Sequence, residues 1–240
     1  MAEELISIGE AAEMLDVSID TLRRWDESGK LKAVRSEGGH RNYRKHDIEI
    51  FLSDLFKMAF GWVSSSEASE LPKTFYCPTS SIFQARLEKF QSILSSDQTV
   101  GNYFSLLVSV SGEIGNNSFD HNLGNWPDVS GIFFAFDTNK RQIVLADRGV
   151  GILHTLKRVK PELANDAQAL EVAFTEIISG RAPEARGNGL KFVRQVAQDY
   201  PINLFFLTGN ASVSLLNENK ALTIKDKLTP IKGCLALITY

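Results

Sequence analysis

Two short helices with clear start and stop signals occupy the first 30 residues of this 240-residue chain. Ser7 and Glu10 have the three-residue spacing of a capping box, and the apolar residues after them recur on one helical face. A break at residues 16–17 precedes Ser18, which predicts the cap of a second helix, and Gly29 predicts its end. Two short capped helices joined by a tight turn are the sequence form of a helix-turn-helix.

A short hairpin with basic arms is predicted directly after these helices. Val34 and Tyr43 flank the pair Gly38-Gly39, and consecutive glycines between β-prone residues favour a tight turn. Asp47 predicts the start of a third helix. The candidate core positions of that helix are Ile48, Ile50, Phe51 and Leu55.

Charge is divided unevenly along this segment. The whole chain has 26 Lys and Arg against 29 Asp and Glu, a net charge of −3 that by itself argues against a nucleic-acid partner. Residues 1–22 hold six acidic and no basic residues, whereas residues 23–46 hold eight basic and three acidic residues, a net charge of +5. A solvated surface also explains such a run, but its coincidence with a helix-turn-helix favours cations that neutralise phosphates.

The pairing of SIGEAAEMLDVSIDTLRRWD with GGHRNY resembles a MerR-type winged helix-turn-helix over residues 6 to about 55. The resemblance implies that double-stranded DNA is the partner, read in the major groove by the second helix and on the backbone or adjacent groove by the hairpin, or wing. The residues implied are Thr21, Arg23 and Arg24 from the helix, and Arg35, His40, Arg41, Tyr43 and Arg44 from the wing. For Trp25 a core position is favoured over a base contact. A homodimer is also implied, although the long dimerisation helix usual in the family is not visible.

The stretch 61–80 is predicted to be a linker, because it carries serines and prolines and has no helical or strand periodicity. It divides the chain into a DNA-binding domain at 1–60, the linker, and a second domain at 81–240. The second domain mixes helical patterns with β-prone runs, namely GIFFAFD, QIVLADRG, INLFFLT, SVSLL and CLALITY.

Polar residues and glycines stand at the ends of predicted elements in the second domain. Glu113 and Asn117 lie one turn apart on a helix, where a carboxylate can activate water or a hydroxyl and an amide oxygen can bind Mg²⁺. Asp147 ends a strand, where it can accept a hydrogen bond from an exocyclic amine, and Gly149 and Gly151 permit close backbone approach. The pair Gly187 and Gly189 precedes a helix, whose free N–H groups suit phosphate.

The order and spacing of EIGNNSFDH, DRGVGI and RGNGL resemble the GHKL ATPase superfamily over residues 80–240. The resemblance implies a Bergerat two-layer α/β sandwich that binds ATP and Mg²⁺, so that the whole chain has the fold class α+β. It implies that Glu113 is the general base, Asn117 the Mg²⁺ ligand and Asp147 the adenine reader. It further implies that the ribose and phosphates lie against Gly149, Gly151, Gly187 and Gly189, under a lid at 152–186.

Two residues depart from the superfamily pattern. Arg148 takes a position often held by Asn, and Lys191 stands where many members have another Gly, so nucleotide binding is expected but efficient catalysis is in doubt. For His121, packing at the pocket rim is favoured over a phosphate contact. Arg181 and Arg186 either face the phosphates or face solvent.

Three functions fit these patterns. No His lies in the segment 81–99, where a histidine kinase has its phosphoacceptor, which argues against an autophosphorylating kinase. The leading hypothesis is a DNA-binding transcriptional regulator whose ATP-binding domain is a nucleotide-dependent switch, with a partner protein as a further candidate. The alternative is a DNA-tethered ATPase or a protein Ser/Thr kinase of the anti-sigma-factor type. A third interpretation is an interaction module without nucleotide, so the question of an enzyme stays open.

The remaining sequence signals bear on location. Cys77 and Cys234 match no metal-ligand spacing and are expected to be buried free thiols. No apolar run approaches the ~18 residues that suggest a membrane span, and the N-terminus lacks a secretory pattern. We therefore expect a cytoplasmic protein with no membrane partner.

Overall fold

The computed structural model describes residues 4–15, 17–36, 38–45, 47–48, 51, 54–176 and 189–240. Within these ranges the chain forms a three-stranded sheet beside two helices, followed by a seven-stranded sheet covered by helices. The mixed α/β architecture agrees with the predicted class.

The N-terminal elements begin and end where the capping signals predict. The capping box is confirmed, since Ser7 N–H donates to Glu10 Oε2 at 2.7 Å and Glu10 N–H donates to Ser7 Oγ at 3.2 Å. Ser18 Oγ accepts from Thr21 N–H at 3.1 Å, and Gly29 ends the second helix with a left-handed φ of +78°. The elements are β1 (Leu5–Ser7), α1 (Ile8–Leu15), α2 (Ile19–Ser28), β2 (Val34–Arg35) and β3 (Arg41–Arg44).

The predicted hairpin is confirmed as the antiparallel pair β2–β3, with Val34 opposite Asn42. The sequence pattern does not predict β1, which pairs with the other edge of β3 and places Ile6 opposite Tyr43. Three residues are too few to show strand alternation, so only the free edge of β3 reveals this strand. The core of the module is formed by Ile6, Ala11, Leu15, Leu22, Trp25, Tyr43 and Ile48.

Helix α3 (Leu55–Ser64) crosses the predicted boundary at residue 60, and its N-cap is Asp54. The predicted linker is therefore wrong at both ends, since 61–64 belong to α3 and Tyr76–Cys77 form strand β4. The reason is an apolar stripe with helical spacing that continues into the segment and packs on the large sheet. That stripe consists of Leu55, Met58, Ala59, Trp62 and Val63.

The large sheet has the strand order β4-β5-β6-β10-β7-β8-β9, with every neighbouring pair antiparallel. Its further strands are β5 (Ile132–Asp137), β6 (Gln142–Asp147), β7 (Asn203–Thr208), β8 (Ala211–Leu216), β9 (Asn219–Lys225) and β10 (Cys234–Thr239). The register places Asp147, the last residue of β6, opposite both Ile132 and Cys234. The candidate site therefore lies at this end of the sheet.

The large sheet is covered on both faces, so the unit has three layers rather than the predicted two. The strands IFFAFD and QIVLAD carry apolar residues toward both sides: Phe133 and Val144 pack with α3, whereas Phe134 and Leu145 pack in the main core. The other helices are α4 (Ser80–Ser95), α5 (Phe104–Asn122, after a 3₁₀ turn at Gly101–Tyr103), α6 (Gly151–Leu156), α7 (Asp166–Thr175) and α8 (Gly189–Asp199).

The C-terminal strands and the predicted lid differ in how well the sequence predicts them. The β-prone runs of the C-terminal part are confirmed as β7, β8 and β10, but the polar edge strand β9 has no apolar run to predict it. The predicted lid at 152–186 is corrected, because Leu170 and Phe174 of α7 are fully buried in the main core. Residues 177–188 lie outside the described residues.

Candidate functional site

Helix α2 presents two arginines on the surface of the helix-turn-helix. Arg23 and Arg24 are exposed, as the prediction of DNA contacts requires. Arg23 Nη1 lies 2.6 Å from Asp20 Oδ1, and Arg24 Nη2 lies 3.1 Å from Glu70 Oε2. Both ion pairs are exposed, so each is worth at most about 1 kcal/mol and can be exchanged for a phosphate.

The wing arginines are held by a single buried carboxylate, that of Asp26 on α2. Its Oδ2 accepts from Arg35 Nη2 at 3.0 Å and from Arg41 Nε at 2.8 Å, while its Oδ1 accepts from Ala33 N–H at 3.0 Å. The Ala33 N–H, followed by the Arg41 guanidinium, lowers the pKa of Asp26 below its usual range. The carboxylate therefore stays ionised and fixes the wing against α2.

Two other wing residues are exposed. His40 lies at the hairpin turn, and Arg44 ends β3 with its Nη1 at 3.6 Å from Asp47 Oδ2. We call the basic side chains of α2 and the wing the basic surface; all of them are exposed except Arg41, which is partly buried. Its members are Arg23, Arg24, Arg35, His40, Arg41 and Arg44.

Two residues predicted to contact DNA lie inside the module. Thr21 is 1% exposed and its hydroxyl is 2.8 Å from Ser18 Oγ, while Tyr43 is 0% exposed and donates from its hydroxyl to the Leu22 carbonyl at 3.1 Å. Neither side chain has surface to offer to a nucleic acid. Their predicted contacts are corrected to packing roles, because they close the core beneath α2. Trp25 is buried, which confirms its predicted core position.

Asp147 forms the floor of a second site, a pocket between α5, α6 and the end of the sheet. Its Oδ2 accepts from Ser118 Oγ at 2.7 Å and its Oδ1 accepts from Gly149 N–H at 2.8 Å. Burial raises the pKa of this carboxyl above its usual range. The backbone N–H of Cys234 is a third donor to this carboxyl, so Asp147 can accept one more hydrogen bond from a ligand.

Glu113 and Asn117 stand together at the edge of this pocket, with Asn117 Nδ2 donating to Glu113 Oε1 at 3.3 Å. Gly189, the first residue of α8, lies against the same carboxylate, because a Cβ there would fall 1.8 Å from Glu113 Oε1. The predicted helix pair and the third box are thus brought together. Gly187, Arg181 and Arg186, also predicted for this region, lie outside the described residues.

The two glycines that follow Asp147 are needed for different reasons, one for its backbone conformation and one for space. Gly151 has a φ of +76°, which side-chain-bearing residues rarely adopt. Gly149 leaves room for Asn122, whose Oδ1 accepts from Val150 N–H at 2.8 Å. A Cβ on Gly149 would lie 2.2 Å from Asn122 Nδ2. Both glycines therefore shape the wall beside Asp147.

The pocket has a cavity volume of about 50 Å³. This volume is enough for one or two water molecules, so a nucleotide base requires its wall to open. The donor set does fit the implied ligands, since a carboxylate and an amide oxygen face the same space. The residues that line it are Ile114, Asn117, Ser118, His121, Asn122, Asp147, Val150, Gly151, Ile152, Thr155, Leu190, Phe206 and Cys234.

Sequence reasoning missed three polar residues near Asp147. Ser118 and Asn122 belong to α5, and Thr208 Oγ1 accepts from Ile152 N–H at 3.3 Å. Ser118 stands within the first box, and Thr208 is a buried polar residue between an apolar strand and Gly209. Their local patterns carried a signal, but only the folded arrangement shows that Ser118 bonds Asp147 while Asn122 and Thr208 bond the backbone of Val150 and Ile152.

His121 lines the pocket, as its favoured packing role predicts. Burial, followed by the charge of Arg158, lowers the pKa of His121 below its usual range. The imidazole is therefore neutral at neutral pH. Cys234 also lines the pocket, and both Cys77 and Cys234 are free thiols.

Arg148 faces away from the pocket, toward α3. Its side chain is fully buried and bonds Asp128 Oδ2 through Nε at 3.0 Å and Nη2 at 2.6 Å. Nη1 also donates to the Trp62 carbonyl. Although burial acts to raise the pKa of Asp128, hydrogen bonds from Arg148 and Lys232 hold that pKa at about 2. The unusual residue of the second box thus anchors the segment after α3.

None of the helices in the described ranges is both long and apolar enough to cross a membrane. Among the same residues, no cluster of three or more His, Cys, Asp or Glu side chains could hold a metal ion. A cation at Asn117 would therefore need oxygens from water or a bound phosphate.

Parts of the chain are similar to known regulators and to an enzyme. A model of the MerR family of regulatory proteins matches residues 7–43. The type II methyltransferase M.Eco47II of Escherichia coli is 37% identical over 70 residues, which are 29% of this chain and 17% of that protein. The transcriptional repressor DcmR of Methylorubrum extorquens is 44% identical over 52 residues, 21% of this chain and 20% of the repressor.

Each of these matches covers less than a third of the chain. The chain spans only about a fifth of the length of the curated relatives that it matches. The family model covers α1, α2 and the wing up to Tyr43, where the caps, the hairpin and all of the basic surface except Arg44 lie. Residues 7–43 of this chain are therefore a MerR-family helix-turn-helix segment.

Proposed function

We propose that this protein is a DNA-binding transcriptional regulator whose second domain is a nucleotide-dependent switch. The observation that carries the proposal is the basic surface of a MerR-family segment, in which the Asp26 carboxylate orients Arg35 and Arg41 beside the exposed arginines of α2. A repressor among its relatives supports a regulatory role. As in other modules of this kind, a homodimer would bind a two-fold DNA site.

ATP with Mg²⁺ is the proposed ligand of the second domain. Asp147 would accept from the adenine amine, Asn117 would bind Mg²⁺ through its amide oxygen, and Gly149, Gly151 and the N–H groups near Gly187 and Gly189 would face the ribose and phosphates. Because the pocket is narrow, a nucleotide must displace its wall. A ligand shifts an equilibrium only through such a difference between two states, and this supports a switch.

DNA binding is tested by measuring the affinity of the full chain for duplex DNA over a range of salt concentrations. Arg23→Ala and Arg44→Ala are expected to weaken binding and to flatten its dependence on salt, since each removes one phosphate contact. Lys220→Ala, a matched loss of positive charge on β9, is the control. An unchanged affinity for every duplex in both arginine variants would contradict the DNA-binding role.

Nucleotide binding is tested by titrating labelled ATP with and without Mg²⁺. Asp147→Asn is expected to lose adenine binding, and Asn117→Ala is expected to lose the contribution of Mg²⁺. If ATP binds neither the wild type nor any variant, the nucleotide switch is wrong while the DNA-binding role stands.

A DNA-tethered ATPase or Ser/Thr kinase is the second candidate function. The observation that favours it is Glu113, a half-buried carboxylate bonded to Asn117, positioned to accept a proton from water or a hydroxyl. Hydrolysis or transfer of labelled phosphate that Glu113→Gln abolishes, with ATP binding kept, would establish it. If ATP binds without being hydrolysed or transferred, the nucleotide-dependent switch is supported and the enzymatic function is not.

A further inference from the structure

The segment 65–71 connects the back of the candidate nucleotide pocket with the helix-turn-helix; we call it the strap. One end follows α3, and Leu71 at the other end is buried against α3 and the sheet. Between these points the strap contacts Arg24 of α2 and Lys30, which follows α2. Its contacts at the two ends have different partners.

The first end of the strap is anchored to the large sheet. The Ser65 carbonyl accepts from Arg148 Nη1 at 3.1 Å, and the Ser66 carbonyl accepts from Arg148 Nη2 at 3.3 Å and from Lys232 Nζ at 2.7 Å. Arg148 and Lys232 are joined by Asp128, which bonds both. Arg148 is completely buried, so this anchor is rigid.

Just before Leu71, the strap binds the helix-turn-helix through Ser69 and Glu70. Glu70 Oε2 accepts from Arg24 Nη2 at 3.1 Å, and Ser69 Oγ accepts from Lys30 Nζ at 3.1 Å. The Lys30 ammonium lies 4.1 Å from the centre of the Trp25 ring. The Glu70 carboxylate thus takes the place on Arg24 that a DNA phosphate would take.

We propose that the strap is an autoinhibitory element, in which Glu70 occupies Arg24 of the DNA-binding helix while Arg148 and Lys232 hold the strap on the sheet. The inference deepens the proposed function and rests on its DNA-binding role. A cavity of about 690 Å³ lies beside the strap, lined in part by Ala12, Ile19, Trp62 and Ala68, and gives the strap room to move away.

The anchor also links the strap to the pocket. Asp147 and Arg148 are consecutive residues at the end of β6, and they face opposite sides of the sheet. A ligand that displaces the backbone at Asp147 and Gly149 would act directly on Arg148, the residue between them. The strap is the physical connection through which occupancy of the pocket would reach Arg24.

The charge of Glu70 provides the first test. Glu70→Gln is expected to tighten binding of a random-sequence duplex by about twofold to fivefold, the value of one exposed ion pair. Glu67→Gln removes the same charge from the same strap, where no basic partner of Glu67 is found among the described residues, and is the matched control. Equal effects of the two variants would overturn the inference.

Lys232 provides a sharper test, because the loss of its charge and the release of the strap have opposite expected effects on DNA affinity. Lys232→Gln removes a cation, which by itself weakens DNA binding, whereas release of the strap strengthens it. We expect tighter binding than in Lys225→Gln, an equal loss of charge on β9. A DNA affinity equal to or below that of Lys225→Gln would contradict the autoinhibitory role of the strap.

Amide hydrogen exchange separates this inference from the proposed function, since it needs no DNA. In Lys232→Gln, exchange is expected to speed up both in 65–71 and at the C-terminal end of α2, with α8 unchanged as the internal reference. If no variant binds DNA but exchange changes in both segments, the proposed function fails and the contact is real. If exchange in α2 is unchanged, the inference that the strap is autoinhibitory is overturned.

Discussion

The helix-turn-helix and the candidate nucleotide pocket differ in how far apart in the chain their interacting residues lie. In the first, the caps at Ser7 and Ser18 and the Arg23–Asp20 ion pair join residues three positions apart, and the longest link to Asp26 reaches Arg41, 15 positions away. In the second, Asp147 bonds Ser118 across 29 positions, and Thr208 bonds Ile152 across 56. Short links can be predicted from sequence patterns, whereas distant ones depend on strand order.

The same difference appears within one dipeptide. Asp147 and Arg148 are neighbours in the chain, yet the first lies in the pocket and the second reaches α3 and the strap. A residue that departs from a superfamily pattern at the second position therefore need not weaken ligand binding. It has an identifiable partner on the other face of the sheet.

The largest loss of stability is expected on substitution of Asp26, the carboxylate that joins α2 to the wing. Asp26→Ala removes a buried carboxylate with three hydrogen-bond donors, and should lower the stability of the module by about 2 kcal/mol. Hydrogen exchange of α1 and α2 measures this. Asp20→Ala, an exposed acid on the same helix, should change it by less than about 0.5 kcal/mol. Equal losses would mean that Asp26 is no more central than a surface residue.

A methyl group added at Gly189 tests the contact between the start of α8 and Glu113 of α5. Gly189→Ala places a Cβ where Glu113 Oε1 now lies, so the carboxylate must move. Affinity for ATP with Mg²⁺ should fall by about tenfold, which corresponds to ~1.4 kcal/mol, while DNA affinity without nucleotide should not change. Calorimetric titration measures the first and a duplex-binding assay the second. An unchanged nucleotide affinity would show that the third box is not part of the site.

The buried carboxylate of the pocket should make stability depend on pH. Burial raises the pKa of Asp147 in the folded protein, so the folded state holds this proton more tightly than the unfolded state. Wild-type stability should therefore fall as pH rises from the unfolded pKa of about 3.9 through the raised folded value. Asp147→Asn should lose this dependence and unfold at a higher denaturant concentration at neutral pH. A less stable variant would show that the charge is not costly.

The smallest effect is expected at a glycine without neighbours. Gly61 lies within α3, and a Cβ there would meet no atom within 4 Å. Gly61→Ala should therefore stabilise the protein by about 0.5–1 kcal/mol, through the helix propensity of alanine alone. Thermal unfolding measures the gain. A loss would mean that α3 approaches another surface in solution.

Prediction from sequence succeeded for elements whose signals are local. The capping box, the cap at Ser18, the end at Gly29 and the hairpin all follow from residues within a few positions of one another. Prediction failed for β1 and β9, because an edge strand is defined by the strand that it pairs with. It also failed for Thr21 and Tyr43, because a polar residue within a basic segment carries no sign of its burial.

The sequence by itself determined the helix-turn-helix, its charge and the order of the three boxes, since caps, turns and periodic patterns act within one or two turns of chain. Only the tertiary structure decided that α3 forms a third layer, that Ser118 bonds Asp147 and Thr208 bonds Ile152, and that Arg148 anchors the strap. The physical reason is that burial and hydrogen-bond satisfaction depend on surfaces brought together by sheet register. That register joins residues far apart in the chain.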